Sequence, residues 1–280
     1  MPTLREIKEN LERIETIKNL TNIYHQIAAL RMKKVREGVL RNRKFFKELL
    51  SCYQRIKTAY LFSLKGKRIK ERRIPLLKGE KEKVIIFLSA NHFFYGTLIL
   101  DIWSKILPYL KENEADLVVV GRVGKYSAER SGFGHKMFYF ELDDEKPEKE
   151  NIAGIIEFAK DYKKIIVFYG RYKTVLTQEP VMSEISELPF EEKKGEIKKY
   201  LFEPSPEAVL EFFESEIIIS LFNQCLLEHQ LARYASRTIA MYRARENAKD
   251  LRKKLETIKN KLVREKSNKE QIELFAKIKI

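Results

Sequence analysis

Apolar residues recur at steps of three and four at both ends of the chain. Leu4, Ile7, Leu11, Ile14, Ile17, Thr21, Tyr24, Ile27 and Ala28 form one stripe; Leu231, Tyr234, Thr238, Met241, Ala248, Leu251, Leu255, Ile258 and Leu262 form the other. Charge fills the remaining faces, and a narrow stripe of this kind is the pattern of a two-helix coiled coil. In Pro204-Ser205-Pro206-Glu207, Ser205 suits a helix cap and Pro206 the first helical position. The middle of the chain has a different period. Val84-Ile85-Ile86-Phe87-Leu88 and Leu117-Val118-Val119-Val120 are short continuous apolar runs, typical of strands covered on both faces. Further strands are expected over Met137–Leu142 and Ile165–Tyr169, with helices over Leu98–Leu110 and 151–162. This alternation favours a mainly parallel, doubly wound sheet. The charged stretches 63–83 and 186–199 read as loops or linkers.

Helix breakers divide the chain in the same way. All 11 Gly lie between Gly38 and Gly195, and of 8 Pro only Pro2 lies outside Pro75–Pro206. Gly costs a helix interior about 1 kcal/mol and Pro about 3, so residues 3–37 and 207–280 are free to stay helical. A helix of 60 residues reaches roughly 90 Å, and with one apolar stripe it needs a partner helix. The expected organisation is an amino-terminal helix over 1–64, an α/β domain over 65–200 and a carboxyl-terminal helix over 201–280. The two end helices are expected to pair as a rod.

Composition narrows the function. With 55 Lys and Arg against 40 Asp and Glu, the formal charge is +15. Only 2 Cys are present, which excludes a disulfide scaffold and a Cys-rich zinc module and fits a reducing compartment. No apolar run reaches bilayer length, and the first residues lack the apolar stretch of a secretory signal, so a soluble intracellular chain is expected. Gly121-Arg122-Val123-Gly124-Lys125 invites comparison with a phosphate loop. Only two residues separate its glycines and Tyr126 follows the Lys, so a plain strand-to-helix turn is the better reading. The four His (25, 92, 135 and 229) are scattered, and no metal or cofactor is expected. His92 lies near Ser89 and Asn91 without a nucleophile elbow. Asp143, Asp144 and Glu145 read as a solvated acidic loop. An enzyme built on the 89–96 or 121–126 turns is the weakest reading.

The basic runs weigh more. Residues 31–47 carry eight Lys or Arg against Glu37 alone, and 243–266 carry ten against four acids. Such faces suit nucleic-acid phosphates or an acidic protein surface. Stacking aromatics, which single-strand binding uses, are missing from the second run, where Tyr242 just beside it is the only aromatic.

The ordered motifs resemble a family. Glu6-Ile7-Lys8, Ile14, Leu20-Thr21 and Ile27-Ala28-Ala29-Leu30-Arg31-Met32-Lys33-Lys34 are similar to the amino-terminal helix of the gamma subunit of F-type ATP synthases. Val167-Phe168-Tyr169 through Gln178 and Pro180 resembles that family's last sheet strand and outgoing loop. Tyr200-Leu201-Phe202-Glu203-Pro204-Ser205-Pro206-Glu207 resembles its entry to the carboxyl-terminal helix. Leu226-Leu227-Glu228, Ala235-Ser236-Arg237, Ala240-Met241, Asn247-Ala248 and Asn260-Lys261 follow without a gap. Departures are local. Ser89–Gly96 stands where the family has a Gly-rich turn, Ile23-Tyr24 replaces Ala-Met, Val263-Arg264 replaces Arg-Gln, and only Glu270 and Glu273 remain of the terminal signature.

The resemblance implies a central-stalk rotor: an antiparallel coiled coil of the two end helices plus a Rossmann-like α/β domain with a mainly parallel sheet. It implies a non-catalytic subunit that couples proton flow to ATP synthesis or hydrolysis on partner beta subunits. The implied partners are the alpha, beta and epsilon subunits and the membrane c-ring, at the cytoplasmic face of the membrane. By position, Arg31, Lys33, Lys34 and Arg264 are expected to meet the alpha/beta hexamer, and Tyr200 and Glu203 the c-ring and epsilon foot. The alternative is a basic coiled-coil nucleic-acid-binding protein with an α/β body.

Overall fold

The computed structural model describes residues 3–65, 73–75, 79–189 and 203–278. In chain order the elements are α1 (Leu4–Lys65), β1 (Arg73–Pro75), β2 (Lys81–Leu88), α2 (Leu98–Glu112), β3 (Asp116–Val120), α3 (Arg122–Arg130), β4 (Met137–Phe140), α4 (Lys149–Lys160), β5 (Tyr162–Tyr172), β6 (Gln178–Glu184), β7 (Glu187–Pro189) and α5 (Pro206–Ile278). They form two compact units. Met1–Leu30 with Arg237–Ile280 make one, and Arg31–Ser236 the other.

The first unit is an antiparallel pair of helix segments. His25 Nδ1 lies 3.2 Å from the Thr238 carbonyl, an Arg245 Nη donates to Asn22 Oδ1 at 3.4 Å, and Arg252 donates to Glu15. As one number rises the other falls. The positions turned inward on α1 are Leu4, Ile7, Leu11, Ile14, Lys18, Thr21, His25 and Ala28, and on α5 Thr238, Met241, Arg245, Ala248, Arg252, Leu255, Lys259 and Leu262. Both series step strictly by three and four, the spacing of a two-helix seam. This corrects the stripes expected above. Ile17, Tyr24, Leu251 and Ile258 are 41–49% exposed, and Lys18, His25, Arg252 and Lys259 take their places. The step selects the seam, and long cations fit it because their aliphatic stems cover apolar surface while the charged ends reach water.

The α5 start is as expected: Ser205 Oγ accepts the Ala208 N–H at 3.2 Å and Pro206 opens the helix. The main sheet of the second unit has the order β4-β3-β2-β5-β6. β3, β2 and β5 pair in parallel, β4 joins β3 in parallel, and β6 runs antiparallel to β5 at the edge. Alternate residues of β2 go to opposite faces. Val84, Ile86 and Leu88 pack with Ile155 and Ile156 of α4, Tyr53 of α1, and Ile217, Ile218 and Phe222 of α5. Ile85 and Phe87 pack with Ile102, Trp103 and Ile106 of α2 and Val123 of α3.

Two expectations change. β6 occupies part of a predicted loop; its residues are half-buried except exposed Met182, so no alternation marked it. Within the charged stretches, Arg73–Pro75 pairs antiparallel with Glu187–Pro189, and β2 already begins at Lys81. Ladder bonds join backbone groups and do not require apolar side chains. The rest of those stretches lies largely outside the described residues.

One face of α5 fastens the loops at the carboxyl ends of the strands. Asp144, after β4, accepts hydrogen bonds from the Asn91 amide and the Tyr95 hydroxyl, each at 3.1 Å, and pairs with Arg233 at 2.5 Å. Arg233 also donates to the Ser89 carbonyl at 3.1 Å and lies 5.3 Å from the Tyr95 ring centre. Gln230 donates to the Asp144 and Glu145 carbonyls, and Ser236 to the Tyr95 carbonyl. His229 Nε2 donates to the Ser89 carbonyl at 2.9 Å while its Nδ1 accepts the Gly170 N–H at 3.0 Å. That pairing fixes the neutral tautomer and ties β2 to β5. Asp144 is therefore a buried hub, which corrects its reading as part of a solvated loop: it is 6% exposed because Arg233 balances its charge.

Replacing Asp144 with Ala strands the buried Arg233 cation and is expected to lower stability by about 3–5 kcal/mol. Glu145→Ala removes only the half-exposed pair with Arg31 and is expected to stay within about 1 kcal/mol. Urea unfolding of both variants measures the contrast. Burial, then the neighbouring Arg233, lowers the His229 pKa from 6.5 to about 3. The unfolded chain thus binds one more proton than the folded one between those values, so this contribution to stability is complete above pH 6.5 and is lost as pH falls toward 3. The expected slope is about 1.4 kcal/mol per pH unit. Urea midpoints between about pH 6.5 and 5, where most carboxylates stay ionised, should flatten by that amount in His229→Gln.

Candidate functional site

No helix among the described residues is long and apolar enough to cross a membrane, and no cluster of His, Cys, Asp and Glu there has the form of a metal site. The turn after β3 shows why its glycines are there. Gly121 has φ +101°, a conformation that suits glycine. A Cβ on Gly124 would come within 2.7 Å of Ser89 Cβ and 2.8 Å of Val119 Cγ1, so this glycine lets α3 lie close on the sheet. The first amides of α3 are already used, Arg122 N–H by Asn91 Oδ1 and Val123 N–H by the Ala90 carbonyl. Lys125 Nζ lies 5.0 Å from the Tyr139 ring centre. The turn is a strand-to-helix connection whose donors are committed to its neighbours.

The histidine that reaches Ser89 is His229, through the serine carbonyl; His92 is exposed. Cys225 is buried, which pushes its thiol pKa up to about 12 and keeps it protonated and unreactive.

Basic side chains dominate what remains at the surface of the long helices. Lys33 and Lys34 are exposed on α1. Arg31 is half-buried and pairs with Glu145, while Arg43 reaches the buried Glu228 at 2.7 Å. Arg264 is exposed on α5, in the unit of paired ends, whereas Arg31, Lys33 and Lys34 group with the sheet. Glu203 is exposed just before α5, and Tyr200 lies outside the described residues.

Several seam cations have partners. Lys18 donates to Glu15 at 2.9 Å and Arg252 to Glu256 at 2.9 Å as well as to Glu15. Hydrogen bonding from Lys18, then the Arg252 charge, holds the Glu15 carboxyl below its ordinary range despite some desolvation. By the register above, Leu4 lies level with the region of Leu262. α5 continues to Ile278 past that level, and all its residues from Val263 to Phe275 are exposed, including Ile272, Leu274 and Phe275 at 60–71%. The outer faces of the pair also carry Ile17, Leu20, Ile23 and Leu251 at 49–51% exposure. Of these, only Ile17 and Leu251 lay within the expected helical stripes, and the seam turns both of them outward.

Comparison with known proteins agrees with this architecture. The family model described as ATP synthase matches residues 3–276. The ATP synthase gamma chain of Pelotomaculum thermopropionicum is 27% identical over 262 residues, 90% of this chain and 89% of that one. The gamma chain of Heliobacterium modesticaldum is 25% identical over 272 residues, 91% of each chain. Among solved structures, the rotor of the Euglena gracilis mitochondrial ATP synthase superposes with a TM-score of 0.58 at 19% identity, covering 92% of this chain and 98% of that one. A chain of the Tetrahymena thermophila central stalk and c-ring structure gives 0.59 at 17% identity, covering 80% and 99%. Because the match runs through both end helices and the sheet between them, the chain belongs to the ATP synthase family, with gamma chains as its relatives.

Proposed function

We propose that this chain is the central-stalk rotor subunit of an F-type ATP synthase, carrying torque between a membrane c-ring and an alpha/beta hexamer. The observation that carries the reading is the antiparallel pairing of the two ends of the chain, extended by the exposed last turns of α5. A helix pair is a stiff element, and stiffness is what a torque-bearing axle needs. The chain itself performs no bond chemistry in this reading; the catalytic sites lie on beta subunits. Alpha, beta, epsilon and the c-ring are the proposed partners, proton flow the proposed drive, and the cytoplasmic face of the membrane the place of assembly.

Residues 1–64 and 201–280 supply the shaft and 65–200 the body in this proposal. Arg31, Lys33, Lys34 and Arg264 face the hexamer, and Tyr200 and Glu203 belong to the foot on the c-ring and epsilon. Positive charge suits a turning contact because Coulomb attraction varies gradually with register, unlike close apolar packing. The nucleic-acid reading is not favoured: Arg245 and Arg252 of the second basic stretch sit in the helix seam with protein partners, not as a continuous free face.

Co-expression with alpha and beta subunits should yield a complex that hydrolyses ATP and rotates a bead fixed to the body. In that complex Arg264→Glu is expected to lower the hydrolysis rate roughly two- to tenfold, with the complex still assembled. Unchanged hydrolysis removes the assignment of Arg264, and failure to join any alpha/beta head removes the rotor reading. Tight binding to nucleic acid with a steep salt dependence instead would restore the rival.

A further inference from the structure

Three elements meet at one buried carboxylate, Glu228 of α5, whose side chain is 9% exposed. Its Oε1 accepts from Arg43 of α1 at 2.7 Å and from Gln224, one turn earlier on α5, at 2.6 Å. Its Oε2 accepts from the Tyr169 hydroxyl of β5 at 3.3 Å, and Arg171 Nε of the same strand lies 3.7 Å from it. Asn42 extends the network, donating to Gln224 Oε1 at 2.9 Å and to the Ser220 carbonyl at 3.3 Å. All of these residues belong to the unit that holds the sheet.

Among the described residues no other carboxylate joins α1, α5 and a strand. Glu214 ties α5 to α1 through Tyr53 and Lys57. Asp144 ties α5 to the loops at the strand ends. The difference matters mechanically. Apolar packing has little direction, so by itself it lets a helix roll in its groove. Hydrogen bonds to a charged group fix an angle as well as a distance, and burial keeps water from competing for them.

This inference rests on the rotor reading, in which torque passes between the sheet and the two long helices. We propose that Glu228 is a positioning residue that sets the torsional stiffness of the joint between α1, α5 and the sheet. Its carboxylate resists rolling of either helix against β5 because Arg43, Gln224, Tyr169 and Arg171 hold it from separate directions. Neutralising it leaves the apolar core of the joint in place. The Arg43 and Arg171 side chains are 56% and 47% exposed, so both can turn to water when the carboxylate is lost. That separates this joint from the Asp144 hub, whose Arg233 side chain is 8% exposed and would be stranded.

The test uses the complex with alpha and beta subunits, the head fixed to a surface and a bead on the body. While the motor waits for ATP, the angular variance of the bead equals thermal energy divided by torsional stiffness. Glu228→Gln is expected to raise that variance roughly twofold while the rate of ATP hydrolysis stays at the parent value. Arg43→Gln, at a surface-exposed side chain whose loss leaves the core intact, should raise it in the same direction. Glu145→Ala, which breaks a tie outside this joint, should leave it at the parent value. A merely structural role for Glu228 would lower the unfolding midpoint and leave the variance alone. Parent-like variance in both Glu228→Gln and Arg43→Gln overturns the proposal and leaves the rotor reading standing, as does an equal rise in Glu145→Ala. A parent chain that never turns in the head removes the rotor reading and this proposal with it.

Discussion

Neither end helix buries enough apolar surface to stand by itself, and each makes good the deficit of the other. An isolated helix in water is held mainly by what its apolar face packs against. Ile7, Ile14, Thr21 and Ala28 lie a heptad apart on α1 and are among the most buried residues of their unit. Their cover comes from Met241, Ala248 and the half-buried stems of Arg245, Arg252 and Lys259 on α5. The rest of the architecture assumes this closure of first segment upon last.

A different chemistry holds the body. Its sheet faces are apolar, but the loops at the carboxyl ends of the strands are fixed by one polar face of α5, through His229, Gln230, Arg233 and Ser236. These bonds are directional, so they specify one placement of the loops where apolar packing alone tolerates several. The arrangement also explains why Ser89, whose carbonyl takes two donors, leads into a turn without the family's glycines. The turn is anchored from outside by Arg233, His229 and Asp144.

Much of this was legible in the sequence. Continuous β-branched runs marked β2, β3 and β5, the Ser-Pro start marked α5, and the segregation of Gly and Pro marked the long helices. What escaped notice had no apolar signal. Lys18, His25, Arg252 and Lys259 are polar, yet strict three-and-four spacing places them in the seam. β1 and β7 are three-residue ladders held by backbone bonds. Asp144 looked like its acidic neighbours until Arg233, 89 positions later, gave it a partner. Of the residues singled out for partner contact, Arg31 is tied to Glu145, whereas Lys33, Lys34, Arg264 and Glu203 are exposed.

The closure of the chain upon itself also sets an order of events during synthesis. α1 leaves the ribosome first, while its seam mates on α5 follow some 200 positions later. At about 5–20 residues per second, the amino-terminal stripe waits on the order of ten to forty seconds before its mate exists. During that interval a nascent amphipathic helix is open to other apolar surfaces. The long cations spread along it, Lys18 among them, keep such a segment soluble until the last turns arrive.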